Sequence, residues 1–197
     1  MSKEVRAMVD NIEFRSEPDT DEQYIEGYAL RFGTWSENLG KFKETITRAA
    51  LANTDLSDVR ALFNHNADHV LARSSTGTLK LNVDDVGLKF RAKIPNTSYG
   101  KDLIENLRNG NVNQCSFGFN LGENGDEFRF DAQENIYKRT LKNIKEIVDV
   151  SVVTYPAYKD TDVAPALRSL DKIKADHDAI EKRNLEKEKL KLELELI

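Results

Sequence analysis

Three polar side chains stand at positions where the surrounding sequence predicts strands or strand ends. His65 comes where a buried strand enters a polar loop, Ser116 lies on the small-residue face of an alternating strand, and Asp149 interrupts a long apolar strand. Loops that follow rigid strands commonly present functional groups. These residue types could serve together as a base, a nucleophile and an acid.

The chemistry of such a set is hydrolytic. A serine hydroxyl is a weak nucleophile until a neighbouring base removes its proton, and the base needs a third group to fix its tautomer. A carboxylate in the middle of a strand costs several kcal/mol if it is buried without a partner, and an imidazole would be such a partner. Each residue also has a structural interpretation: a loop histidine, a buried serine, or an aspartate paired with a surface lysine.

From the residues alone, two alternatives to the serine, histidine and aspartate set remain. His65 and His69 are four residues apart, as in a metalloprotease helix, but Asn66 stands where the general-base glutamate would be. A metal-dependent hydrolase is therefore one alternative. Cys115 is a poor nucleophile candidate, because alternation turns it to the core side of the strand that carries Ser116.

Composition limits the class of protein. The chain has 197 residues, 29 basic and 34 acidic, with a net charge of −5 and one cysteine. The negative charge argues against a nucleic-acid partner, and no run approaches the roughly 20 apolar residues of a membrane helix. No apolar stretch follows Met1, so we expect no secretory signal. The composition thus predicts a soluble, cytoplasmic globular protein with no membrane partner. We expect no cofactor, and no metal apart from the His65 and His69 alternative.

The composition changes near Leu167. Residues 168–197 contain 8 basic and 8 acidic side chains but no glycine, proline or aromatic residue. We therefore predict a core domain over residues 1–167 and a charged, helix-prone tail over 168–197. The alternating leucines at the end of the tail favour a strand or an unsettled end there.

The core domain is predicted to be mainly β (α+β), a barrel or curled sheet with a few helices outside. The best hairpin spans residues 78–94, and a helix capped by Thr97 or Ser98 follows it and ends at Asn109-Gly110. Residues 42–52 are interpreted as a short helix, and residues 123–134 as a polar excursion.

Several motifs occur in a recognisable order along the chain. They are Gly27–Ala29, Phe42–Ile46, Leu62–Asn66, Val70–Arg73, Gly77–Leu88, Pro95–Thr97, Gln114–Phe119 and Asp149–Tyr158. In this order they resemble the prohead maturation proteases of tailed bacteriophages, a family distantly similar to the herpesvirus assemblin proteases. The resemblance covers Tyr24 to Leu167 and implies a herpesvirus-protease-like β-barrel.

The resemblance implies roles for the three residues. His65 would be the base and Ser116 the nucleophile. The third position holds Asp149, where a glutamate is commoner in the phage family. Glu146 is the fallback, although strand alternation puts it on the opposite face from Asp149. The backbone N–H groups of Ala157 and Tyr158 are the oxyanion-hole candidates, in the place where assemblins have an arginine pair.

The resemblance also implies a setting. Such an enzyme is a serine endopeptidase that acts inside the procapsid, in the host cytoplasm. It would cleave the scaffold or the major capsid protein, and also itself. A homo-oligomeric state of the enzyme is compatible with the resemblance. The tail would be the self-processed or partner-binding end. A non-enzymatic capsid-assembly or scaffolding subunit is the alternative from another class.

Overall fold

The architecture is described from a computed structural model, which covers residues 3–8, 12–16, 22–155 and 164–195. The strands are β1 Glu4–Met8, β2 Glu13–Ser16, β3 Gln23–Arg31, β4 Phe42–Ile46, β5 Arg60–Phe63, β6 Asn66–Arg73, β7 Leu79–Val83, β8 Gly87–Lys93, β9 Gln114–Leu121, β10 Asp126–Asp131, β11 Ile136–Leu141 and β12 Ile144–Val153. The α-helices are α1 Ser98–Arg108 and α2 Ala164–Glu195, and short 3₁₀ turns cover Arg48–Leu51 and Ser74–Thr76. The mainly β class predicted from the sequence is therefore confirmed.

The strands form three sheets. Their orders are β1-β9-β12-β5-β6, β10-β11-β4 and β2-β3-β8-β7. Across the described part of the chain, none of these sheets closes on itself through hydrogen bonds, so a closed barrel is not confirmed. The first sheet matters most for the site, because β12 lies at its centre and pairs antiparallel with β9 and parallel with β5.

Alternation along the strands explains how the core is filled. Cys115, Phe117 and Phe119 of β9 are buried in it, with the two phenylalanine rings stacked 5.3 Å apart. Successive side chains of a strand point to opposite faces, so the residues between these three lie on the other side of the sheet. The predicted hairpin is also present, as β7 paired antiparallel with β8.

Helix α1 forms as its sequence predicts. The Thr97 hydroxyl accepts a hydrogen bond of 3.2 Å from the backbone N–H of Gly100, which satisfies one free donor of the first turn. Leu103 and Ile104 are buried on one face. The helix ends at Asn109, and Gly110 follows with φ of 71°, a conformation that glycine adopts readily.

Two element predictions were wrong. Residues 42–46 are not a helix but strand β4, which pairs parallel with β11, and only a short 3₁₀ turn follows. The polar stretch 123–134 contains β10, which forms a hairpin with β11. For β4, pairing with a distant strand overrides the local pattern, and for β10, pairing with the adjacent β11 does so.

A buried network of charges links β1 to β4 and β11. The Arg6 guanidinium contacts Glu4 at 2.5 Å and Glu44 at 2.8 Å. Arg139, which is 1 % exposed, contacts the same two carboxylates at 2.7 Å and also Asp126. Because each buried charge has several opposite partners, the desolvation cost of the group is offset within the network.

Helix α2 belongs to a second compact unit, residues 164–197, separate from the unit of residues 1–163. The helix starts four residues before the predicted boundary at residue 168, and Leu190, Leu192 and Leu194 lie inside it. The strand-like interpretation of this end was therefore wrong. Among the described residues, neither α-helix combines the length and the apolar character that crossing a membrane requires.

Candidate active site

His65 is presented by a tight hairpin turn between β5 and β6. Asn64 and His65 are its two central residues, with φ of 52° and 53°. Positive φ at both central positions characterises the two-residue turn that suits the twist of a hairpin. The backbone N–H of Asn64 donates to the carbonyl of Val152 at 2.8 Å, and its side-chain Oδ1 accepts from the N–H of Thr154 at 2.9 Å. The turn that holds the imidazole is thus fixed against the end of β12.

Ser116 lies on β9, directly opposite Ser151 of β12. The neighbouring Cys115 and Phe117 face the core, as predicted, so the Ser116 side chain stands on the other face. Its Oγ lies 2.7 Å from Nε2 of His65. The strand pairing therefore brings together two residues that are 51 positions apart in the chain.

Asp149 comes from β12 at a point where the pairing with β9 shifts register, between Ile147 and Asp149. A bulge of this kind re-aims the side chains that follow it. Asp149 then stands opposite Gly118 and is 1 % exposed. Its Oδ1 lies 2.5 Å from Nδ1 of His65.

The three side chains form a continuous chain of contacts from carboxylate to imidazole to hydroxyl. Both distances lie at about the length expected of a productive hydrogen bond. With Nδ1–H donating to Asp149, Nε2 of His65 is left as the acceptor that faces Ser116, a tautomer assigned from these contacts. The arrangement can take a proton from the Ser116 hydroxyl and stabilise the imidazolium that results.

The electrostatics keep Asp149 ionised. Burial works to raise the pKa of its carboxyl, but the hydrogen bond and charge of His65, together with those of Lys3, outweigh burial and lower the pKa below its usual range. The Lys3 ammonium lies 2.6 Å from Oδ2. At neutral pH the buried group is therefore a carboxylate, which is the form that orients a histidine.

Sequence reasoning missed two neighbours of Asp149. The Ser151 hydroxyl donates to Asp149 Oδ1 at 2.7 Å and lies 3.1 Å from Nδ1 of His65. Alternation could have found Ser151, because it stands two residues after Asp149 on the same face of β12. No local signal points to Lys3, which precedes β1.

The other candidates lie elsewhere. Glu146 accepts a hydrogen bond of 2.7 Å from the amide of Asn120, and it is Asp149 that contacts His65. His69, the second histidine of the metal hypothesis, packs its ring against Phe63 and Tyr99. In the ranges that the structure covers, no three His, Cys, Asp or Glu side chains are grouped to hold a metal ion.

The oxyanion-hole candidates Ala157 and Tyr158 lie outside the described residues. Their role stays a prediction. His177 belongs to α2, and its side chain is also outside the described set.

Comparison with known proteins identifies relatives. Residues 10–176 match the family described as caudovirus prohead serine protease. The chain is 27 % identical over 170 residues to the prohead protease of Enterobacteria phage HK97. The aligned region covers 86 % of this chain and 71 % of that protein. Among solved structures, the bacteriophage T4 capsid assembly protease aligns with 77 % of this chain and 97 % of its own, at 13 % identity and a TM-score of 0.47.

Proposed function

The chain belongs to the caudovirus prohead serine protease family, and within this serine protease we propose that Ser116 is the nucleophile, His65 the general base and Asp149 the orienting acid. The observation that carries the proposal is the unbroken path from Asp149 Oδ1 through the His65 ring to Ser116 Oγ, with contacts of 2.5 Å and 2.7 Å. The three residues come from separate parts of the sequence, so their convergence is a property of the fold.

In the proposed reaction, Ser116 Oγ attacks the carbonyl carbon of a peptide bond while His65 Nε2 takes its proton. The imidazolium is stabilised by the Asp149 carboxylate and then gives the proton to the departing amine nitrogen. This leaves an acyl ester on Ser116. A water molecule, activated by His65 in the same way, hydrolyses the ester to a carboxylic acid and restores the serine.

The tetrahedral intermediate needs donors for its oxyanion. We keep the backbone N–H groups of Ala157 and Tyr158 as the proposed donors, because they follow β12 in the sequence by only a few residues. Removal of one oxyanion-hole donor lowers kcat about 10²–10³-fold in another serine protease. We also propose that the three sheets together correspond to the curled barrel of the herpesvirus proteases.

The proposed biological role is maturation of a phage head. The HK97 relative is a prohead protease, which supports a site of action inside the procapsid, in the host cytoplasm. The proposed substrates are the scaffold or major capsid protein and the protease itself, and the chain could work as a homo-oligomer there. A non-enzymatic scaffolding subunit is not favoured, since the family that matches consists of serine proteases.

The test is to co-express the chain with the capsid protein and scaffold of the same phage and to follow cleavage by mass spectrometry. We expect processed products with the natural chain, none with Ser116→Ala, and normal processing with His69→Ala as the matched histidine control. Cleavage that survives Ser116→Ala but disappears with a chelator would replace the triad by the metal-dependent alternative.

A further inference from the structure

Strand β1 occupies the edge of the sheet beside the nucleophile. It is the outermost strand of the order β1-β9-β12-β5-β6, and it pairs antiparallel with β9. In this register Ala7 stands opposite Ser116 and Arg6 opposite Phe117. Without β1, the edge of β9 that carries Ser116 would be open to pair with another extended chain.

The backbone of β1 also contacts the nucleophile itself. The Ser116 hydroxyl donates a hydrogen bond of 2.9 Å to the main-chain carbonyl oxygen of Arg6. A serine hydroxyl carries a single proton. When that proton is directed to Arg6, it is not directed to Nε2 of His65, so this contact competes with activation of the nucleophile.

The nucleophile is inaccessible in this structure, in which β1 is paired with β9. Ser116 has 0 % of its surface exposed. A peptide carbonyl must come within about 3–3.5 Å of the attacking oxygen in order to react. At the other end of the triad, the Lys3 ammonium contacts Asp149 at 2.6 Å, where it shares the carboxylate with His65.

Polar contacts hold β1 in place. Arg6 and Glu4 are buried in the charge network with Glu44 and Arg139. Val5 is 7 % exposed, so one apolar side chain is buried as well. The segment is covalently attached to the domain it covers, which gives it a high effective concentration relative to a free peptide.

We propose that the edge of β9 is the docking site for an extended polypeptide segment of the substrate, and that β1 is its resident occupant, which keeps the site closed until it is displaced. The inference rests on the proposed protease function and deepens it. The substrate would add as an antiparallel strand, with affinity supplied by main-chain hydrogen bonds. Only chains in which β1 has left the site can bind substrate. The apparent affinity is therefore the intrinsic affinity multiplied by the fraction of such chains.

The test loosens β1 in the full-length chain with one substitution outside the triad, its direct contacts and the charge network. Val5→Ser removes the buried apolar side chain of β1. We expect this variant to react about tenfold faster than the natural chain with a fluorophosphonate probe at Ser116, and to show a similar rise in kcat/KM on a peptide substrate. Phe14→Ser, on a strand of another sheet, is the matched control for general destabilisation and should show no rise.

A second measurement does not depend on how the variants fold. A synthetic peptide with the sequence of residues 3–8 should inhibit the natural chain competitively with substrate, and a scrambled peptide of the same composition should not. Unchanged or slower labelling of Val5→Ser, or equal effects of the two peptides, overturns the inference while cleavage itself persists. Absence of labelling and cleavage in every form, the natural chain included, overturns the proposed function and the inference with it.

Discussion

The Ser151 hydroxyl and the His65 ring share one acceptor, because both lie within hydrogen-bond distance of Oδ1 of Asp149. Ser151 and Asp149 are on the same face of β12, and both are 1 % exposed. The hydroxyl holds the carboxylate in the orientation in which Oδ1 points to the imidazole.

We therefore expect Ser151 to act as a positioning residue. A hydrogen bond to a charged group contributes about 1.5–3 kcal/mol, so Ser151→Ala should lower kcat at least about tenfold with little change in KM. Ser151→Thr keeps the hydroxyl and should restore most of kcat. Steady-state cleavage of a peptide substrate measures both constants. Equal losses in the alanine and threonine variants would assign Ser151 a packing role alone.

Ser116 and His65 should behave as one unit. Replacing either by alanine should reduce kcat at least about 10³-fold, and the double variant should be no worse than the poorer single variant, because each change removes the same proton transfer. His69→Ala is the matched control and should cleave normally. The measurement is single-turnover cleavage with each purified variant. Losses that multiply in the double variant would show that the two residues act independently.

Gly118 provides the space that the Asp149 carboxylate occupies. A Cβ atom at this position would lie 2.5 Å from Asp149 Oδ2 and 2.3 Å from the Lys3 side chain. Because Asp149 is held by two further contacts, Gly118→Ala should displace the carboxylate and lower kcat about tenfold or more. Gly110→Ala is the control, since its positive φ predicts a lower Tm with normal kcat at 25 °C. Normal cleavage by Gly118→Ala would show that the carboxylate moves without consequence.

The buried charge network should make the fold sensitive to acid. Burial works to raise the pKa of Glu4, but hydrogen bonds and charges from Arg139 and Arg6 outweigh it and lower the pKa. A carboxyl whose pKa is lowered by folding stabilises the protein above the ordinary glutamate pKa of about 4.3, and this contribution is lost as the pH falls through the lower folded-state value. Urea unfolding should therefore show a free energy of unfolding that declines below about pH 4.

The variant Glu4→Gln separates this network from other acid effects. Removing one partner of a buried ion pair costs about 3–5 kcal/mol, so we expect a loss of that order at pH 7 that shrinks as the natural Glu4 is protonated at low pH. Glu13→Gln, in an exposed pair with Arg15, should leave stability nearly unchanged at every pH. A pH-independent difference between Glu4→Gln and the natural chain would contradict the assignment.

The far part of α2 should be dispensable for peptide cleavage. The described side chains of residues 178–189 are all exposed, and the family match ends at residue 176. A chain that ends at Asp176 loses little buried apolar area, so its Tm and its kcat/KM on a peptide should match those of the full chain. Thermal melts and peptide cleavage measure both quantities. A Tm several degrees lower would show that this segment stabilises the fold.

The site could be predicted from the sequence where local rules decide. Side chains alternate along a strand, so the sequence predicts that Ser116 and Cys115 face opposite sides of the sheet. An unpaired buried carboxylate is destabilising, so the sequence also predicts a partner for Asp149. Features that depend on long-range pairing could not be predicted. The register of β1 on β9 joins residues more than 100 positions apart, and it alone brings Lys3 to Asp149. Strand β4 was predicted as a helix because the local sequence contains no sign of its partner β11, which lies about 95 residues further along the chain.

The central position of β12 has a consequence for synthesis. His65 lies in the turn that follows strand β5, and Ser116 lies on β9. Both strands are neighbours of β12 and not of each other. A nascent chain that has not yet incorporated residues 144–153 lacks both the strand that joins them and Asp149 itself. Since the long-range contacts of a sheet form late, every fragment shorter than this is expected to be inert. We therefore expect proteolysis to begin only when nearly the whole first unit has been synthesised.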